Sequence, residues 1–105
     1  MTTTDQPVLD HWINGTADAG SSSRLADVYD PALGTVAKQV RLASAADVDR
    51  AVAVAKEAFA TWGQASIAKR QTVLYNFREL LNARKGELAQ ILTAEHGKVL
   101  SDAAG

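Results

Sequence analysis

Residues 66–105 constrain this chain more than any other stretch. Val73, Leu74, Phe77, Leu80 and Leu81 recur at the spacing of one helical face, and the stripe resumes at Leu88, Ile91 and Leu92 before it ends at Glu95-His96-Gly97-Lys98. This spacing predicts a helix pair whose apolar face must be covered. Ordering those helices costs conformational entropy that only packing returns, and the short polar strands expected upstream offer little surface for it. Ser101-Asp102 then reads as the opening of another helix, three residues before Gly105. The expectation is a segment that leans on a larger body.

The 105 residues suit one small unit, and 47% hydrophobic content is ordinary for a globular protein. A net charge of −1 gives no drive toward nucleic acid or an anionic membrane. Lys69-Arg70 and Arg84-Lys85 are too brief, and too interleaved with acids, for a phosphate-tracking surface. Up to Gly34 the chain holds Asp5, Asp10, Asp18, Asp27 and Asp30 against Arg24 alone, which reads as solvated surface. There is no cysteine, so disulfides, thiolate metal sites and a thiol nucleophile are excluded within these residues. The start has neither a basic region nor an apolar run, and no stretch nears the ~20 apolar residues of a membrane span. A cytoplasmic location is expected.

Residues 1–7 are polar and expected to be disordered, with 8–105 forming the structured part. Leu9 to Ile13 predicts a short strand, and Asn14-Gly15 supplies the positive φ angles of a type I′ hairpin turn. Gly20 to Ser23 reads as a flexible loop, Ala26 to Tyr29 as a second strand, and Asp30-Pro31-Ala32-Leu33-Gly34 as a turn. Thr35 to Leu42 is a third strand, better suited to an edge than a centre because Lys38 shares a face with Val36 and Val40. Ser44-Ala-Ala-Asp47 has the form of a capping box. Behind it Val48, Ala51, Val52, Ala55, Ala58, Phe59 and Trp62 keep helical spacing on an alanine-rich face suited to close approach, and Gly63 closes the helix. Ser66 caps a second helix to about Arg84, Gly86 interrupts, and a third runs from Glu87 to His96, with Gly97 after its end and Lys98 near its negative pole.

The candidates for chemistry are few. Gly15-Thr-Ala-Asp-Ala-Gly20-Ser-Ser superficially resembles a phosphate loop, but it lacks the lysine and joins strand to strand. No GxGxxG or GxSxG occurs. His11 and His96 are isolated and make a poor metal pair, and His96 is placed to cap a helix C-terminus. Glu87 and Glu95 can share a face, for which solvation is the default reading. Trp12, Phe59, Trp62 and Phe77 read as core or interface anchors.

Several short motifs in order carry a resemblance over some ninety residues: Trp12-Ile-Asn-Gly15, Tyr29-Asp-Pro-Ala-Leu-Gly-Thr-Val36, Asp47-Val-Asp-Arg-Ala-Val52, Ala55-Lys-Glu-Ala-Phe59 with Trp62, and Glu95-His-Gly-Lys98. The chain resembles the N-terminal region of the aldehyde dehydrogenase superfamily. The run Glu95-His-Gly-Lys-Val-Leu-Ser-Asp-Ala-Ala-Gly105, with Arg70-Gln71 and Phe77-Arg78 upstream, is most similar to the CoA-acylating methylmalonate-semialdehyde dehydrogenases. The resemblance implies an α/β fold class: an N-terminal segment of short strands then three α-helices, truncated before the Rossmann-like sheet, so that 8–105 is an incomplete portion of a cofactor-binding domain. It also implies a longer parent enzyme, a homo-oligomer, that binds NAD. There a cysteine attacks the aldehyde, hydride passes to NAD and CoA takes the acyl group; methylmalonate semialdehyde also loses carbon dioxide to give propionyl-CoA, in valine catabolism. The family's catalytic cysteine, glutamate and oxyanion-hole asparagine lie downstream, as do its main cofactor contacts. No catalytic, cofactor-binding or metal residue is therefore assigned within 1–105, and the isolated chain is expected to be inactive. Two alternatives stay open: a general NAD(P)-dependent aldehyde dehydrogenase of broader range, and a non-catalytic helical module that binds a partner through Val73 to Leu92.

Overall fold

The computed structural model describes residues 6–105. Five strands come first: β1 (Val8–Leu9), β2 (His11–Ile13), β3 (Thr16–Asp18), β4 (Leu25–Asp30) and β5 (Thr35–Arg41). Four helices follow: α1 (Ala45–Trp62), α2 (Ile67–Ala83), α3 (Lys85–His96) and α4 (Leu100–Ala103). Strands then helices is the order the sequence predicts. Of the stretch expected to be disordered, residues 1–5 lie outside the described residues. The Gln6 side chain donates to the Val36 carbonyl at 2.6 Å, and the Pro7 carbonyl accepts from the Gln39 N–H at 2.9 Å.

The single strand expected over Leu9 to Ile13 is instead two strands in two sheets. β1 runs parallel to β5, while β2 pairs antiparallel with β3. The chain changes sheets at Asp10, whose carboxylate holds Arg41 at the end of β5. β3 went unforeseen because Thr-Ala-Asp has no apolar alternation. The hairpin turn is as expected, with Asn14 at φ 56° and Gly15 at φ 78°. The Asp30–Gly34 turn also forms, closed by the Leu33 and Gly34 N–H groups on the Asp30 carbonyl.

β5 corrects a second expectation. In the order β1-β5-β4 it is the central strand, not an edge. Lys38 is tolerated there because its ammonium reaches Glu95 of α3 at 2.7 Å, so the charge that argued for an edge is paired across the sheet face.

The helix ends follow local chemistry. Ser44 accepts from the Asp47 N–H while the Asp47 carboxylate accepts from the Ser44 N–H, completing the capping box. Gly63 closes α1 in a right-handed conformation, and a side chain there would come within 2.7 Å of the Phe59 carbonyl. Ser66 caps α2 by accepting from the Lys69 N–H. The break before α3 falls at Arg84 (φ −111°, ψ 19°), so Gly86 lies inside α3, which starts two residues earlier than expected. Arg84 closes α2 through its N–H to the Leu80 carbonyl and reaches forward to Glu87 with its guanidinium. Gly97 ends α3 at φ 85°, the left-handed position that favours glycine.

The packing is sparse. Extensive contact is confined to β4–β5, β1–β5, β2–β3, α3–α4 and α3–β4, and neither α1 nor α2 takes part in it. The extents are 51 × 38 × 16 Å and the radius of gyration is 17.5 Å; a compact domain of this length has about 13 Å. Among the described residues, Ala89 is the buried apolar residue and Asp47 the buried charged one. The aromatic anchors are not core: Trp12, Phe59, Trp62 and Phe77 are all exposed.

Candidate functional site

Two polar clamps and one apolar surface are what the fold builds. The first clamp centres on Asp47, only 4% exposed at the start of α1. Besides closing its own helix, its carboxylate accepts from the Ser21 N–H at 2.9 Å and from the Ser21 hydroxyl at 3.2 Å. The Ser21 and Ser44 hydroxyls are 2.7 Å apart. One turn on, Arg50 grips Asp18 with two nitrogens at 2.7 and 3.0 Å. Asp18 in turn accepts from the Gly20 N–H at 2.8 Å. Gly20 (φ 71°) passes so close that a Cβ would meet the Asp47 carboxylate oxygen at 2.6 Å. The β2–β3 hairpin is thereby fastened to α1. The Ser44 N–H chiefly, helped by the Ser44 hydroxyl and Ser21, holds the Asp47 carboxyl down at about 2. Arg50 does the same for Asp18, in direction.

The second clamp seats Glu95-His96-Gly97-Lys98. Glu95 pairs with Lys38 of β5, and a Cβ on Gly97 would lie 3.3 Å from Pro31 in the β4–β5 turn. The close approach explains a glycine here beyond its role in ending α3. His96, expected to cap, makes no side-chain hydrogen bond among the described residues; the Gly97 N–H closes the helix on the Thr93 carbonyl. Glu87 is exposed, as expected of a solvated face, and ion-paired there with Arg84 at 2.8 Å.

The apolar surface lies along α1 and α2. Val52, Phe59, Ile67, Leu74, Phe77 and Leu80 each leave more than half their area open. Around the α1–α2 corner, Trp62, Ile67, Arg70, Gln71 and Leu74 line an open groove of about 570 Å³. The alanine-rich face of α1 meets Trp12, Ile13 and Gly15 of the hairpin across a second groove, a looser approach than its small side chains permit.

His11 and His96 stand on separate elements, and no group of three or more metal-ligating side chains occurs among the described residues. The Gly15-to-Ser22 stretch cannot cradle a phosphate, since the Gly20 and Ser21 N–H groups already donate to Asp18 and Asp47. A dinucleotide phosphate does not fit the strand-to-helix junction of β5 and α1 either, because the Asp47 carboxylate occupies that N-terminus and would repel it. Asp18, Ser21 and Arg50 were not singled out as a site from sequence; the Gly20-Ser-Ser run two residues after Asp18 was the faint signal for them. No helix among the described residues is long and apolar enough to cross a membrane.

A clamped strand layer beside an uncovered helical face defines a segment of a larger α/β protein. Residues 17–105 match the aldehyde dehydrogenase family. Malonate-semialdehyde dehydrogenases from Bacillus pumilus and Shouchella clausii are 37% and 40% identical, over 100% and 99% of this chain but 22% and 21% of their own lengths. A Sinorhizobium meliloti structure described as a methylmalonate-semialdehyde dehydrogenase complexed with NAD superposes at TM-score 0.93, with 41% identity, covering 95% of this chain and 20% of that one. The methylmalonate-semialdehyde dehydrogenase of Oceanimonas doudoroffii gives 0.91, with 36% identity, 95% and 20%. The chain belongs to the aldehyde dehydrogenase family, has the fold of its N-terminal part, and spans about one fifth of these relatives' length.

Proposed function

We propose that residues 8–105 are the N-terminal portion of the cofactor-binding domain of an NAD-dependent, CoA-acylating semialdehyde dehydrogenase. The parent reaction is methylmalonate semialdehyde, or the unmethylated malonate semialdehyde of the relatives, with CoA and NAD giving an acyl-CoA, carbon dioxide and NADH. The observation that carries this is identity of 36–41% to malonate- and methylmalonate-semialdehyde dehydrogenases over nearly the whole chain. In that enzyme these residues do no chemistry. Their work is to dock: the clamps fix the hairpin and α3, and the open faces of α1 and α2 cover the body that holds NAD. The cysteine, glutamate and asparagine of the reaction belong to residues beyond 105, and the working enzyme is a cytoplasmic homo-oligomer.

A broader aldehyde dehydrogenase is the second reading, supported by a Pseudomonas syringae aldehyde dehydrogenase complexed with NAD+ and octanal that is 40% identical over 92% of this chain. An NADH-production assay separates the two. The full reading frame should turn over malonate or methylmalonate semialdehyde only with CoA present; turnover of octanal without CoA would favour the second reading. Residues 1–105 alone should produce no NADH from either aldehyde, having no cysteine to form the thioester.

A further inference from the structure

Among the described residues, Arg41 and Arg70 are the two half-buried arginines. Arg41 is paired with Asp10, whereas among the described residues the Arg70 guanidinium meets neither a carboxylate nor a hydrogen-bond acceptor, its backbone N–H alone being bonded, to the Ser66 carbonyl. It sits on the wall of the groove at the α1–α2 corner, between Trp62 and Ile67 on one side and Leu74 on the other. A guanidinium set in apolar surroundings without a counter-charge loses hydration and gains nothing in return. The corner itself is firmly built. Gly63 has no room for a side chain against Phe59, and Ser66 caps the helix that carries Arg70.

Resting on the docking role proposed above, we infer that this groove receives an apolar segment carrying an aspartate or glutamate, supplied by the same polypeptide beyond residue 105. Two features select this occupant. Relatives are about five times as long as this chain, so the polypeptide that could fill the groove is at hand. The lone cation on a wall that otherwise holds Trp62, Ile67, Leu74 and the neutral Gln71 asks for one carboxylate, and Trp and Arg are among the residues most enriched where interfaces concentrate their binding energy. The carboxylate accepts two parallel N–H bonds from Arg70, which lysine's point charge reproduces only in part.

The test uses the full-length protein with benzoylphenylalanine in place of Ile67, at the groove's outer wall. Irradiation should join Ile67's position, within one chain, to a peptide beyond residue 105 that contains an Asp or Glu among apolar residues. A cross-link between two chains, to a peptide without a carboxylate, or to nothing, overturns the inference. Independently, Arg70→Glu should raise the rate of native-state proteolysis about tenfold or more, the effect of opposing a desolvated charge pair, with Arg70→Lys in between; an unchanged rate in Arg70→Glu also overturns it. Failure to oxidise a semialdehyde in the NADH assay would sink the proposed substrate and leave the cross-link outcome standing.

Discussion

Residues 6–50 and residues 51–83 are held in opposite ways. The first stretch ties itself together across long separations: Gln6 to Val36, Asp10 to Arg41, Asp18 to Arg50, Ser21 to Asp47. In the second, the described hydrogen bonds stay within one helical turn, as in Ser66 to Lys69, Gln71 to Tyr75 and Thr72 to Ala68. Open apolar side chains occur in both, Trp12 and Leu33 in the first, but in the second Val52, Phe59, Ile67, Leu74, Phe77 and Leu80 follow one another along two helices with no long-range bond among the described residues to hold them. Hydrogen bonds and ion pairs are short-ranged and directional, so a strand layer can complete them internally. Burial of apolar area needs a second surface of matching extent, and a slab 16 Å thick has none to offer. One half is bonded across itself, although Gln6 Oε1 and His11 Nε2 are buried without a partner among the described residues; the other half waits on its covering.

The sharpest way to break this contrast is to remove one apolar side chain from the uncovered half. Phe77 is 57% exposed in this chain. If the remainder of the enzyme covers it, Phe77→Ala should cost the full-length protein about 3–5 kcal/mol. The same change in residues 1–105 should alter helicity by less than the ~0.5 kcal/mol typical of a surface substitution. Denaturant midpoints for the long protein and far-ultraviolet dichroism for the short one measure the two. Equal effects would mean that Phe77 faces solvent in both.

The cross-bonded half should be most sensitive where backbone and clamp meet. Gly20→Ala forces a positive φ on alanine and drives its Cβ to 2.6 Å from the Asp47 carboxylate and 3.1 Å from His11. A cost on the order of 1–3 kcal/mol in thermal unfolding of the full-length protein is expected. Gly15→Ala shares the positive φ (78°) but has nothing within 4 Å, so it should cost only about 1 kcal/mol. If the two variants melt together, the clamp contributes nothing beyond turn geometry.

The same division decides what was legible in the sequence. The capping box at Ser44, the Asn14-Gly15 turn, the Ser66 cap and the left-handed Gly97 are each settled by residues within four positions of one another, and all four stand as read. The clamp was not legible. Asp18 and Arg50 are 32 residues apart and Ser21 and Asp47 are 26 apart, distances across which no local pattern speaks. The central place of β5 was misread for a related reason: Lys38 looked like an edge charge until Glu95, from α3, was brought over it. The stripe from Val73 to Leu92 was plain, but its covering was not, because those residues do not encode the surface they meet. What named the family was the order of short motifs, several of which are the turns and clamps themselves: Asn14-Gly15, Asp30 to Gly34, Asp47 with Arg50, and Glu95 to Lys98.

The smallest expected effect is a titration that should be felt by one capped helix and not by the other. Both α1 and α2 begin with a serine accepting a backbone N–H, but only α1 adds a carboxylate that also grips the hairpin. Asp47 is held at about 2, below its ordinary 3.8, because the Ser44 N–H and then the Ser44 hydroxyl and Ser21 bond to its ionised form. A carboxyl lowered on folding stabilises fully above its unfolded value and loses that contribution as pH falls through the folded one. The window is therefore from about pH 4 down to about 2, and Asp18, lowered by Arg50, moves in the same direction. In serine-labelled protein, the amide signal of Ser21 should titrate with a midpoint near 2 while that of Ser66 stays still. A Ser21 midpoint at the ordinary carboxylate value would show that the hairpin leaves α1 before Asp47 takes its proton, and a Ser66 signal that moved with it would show that the two halves are not separately held.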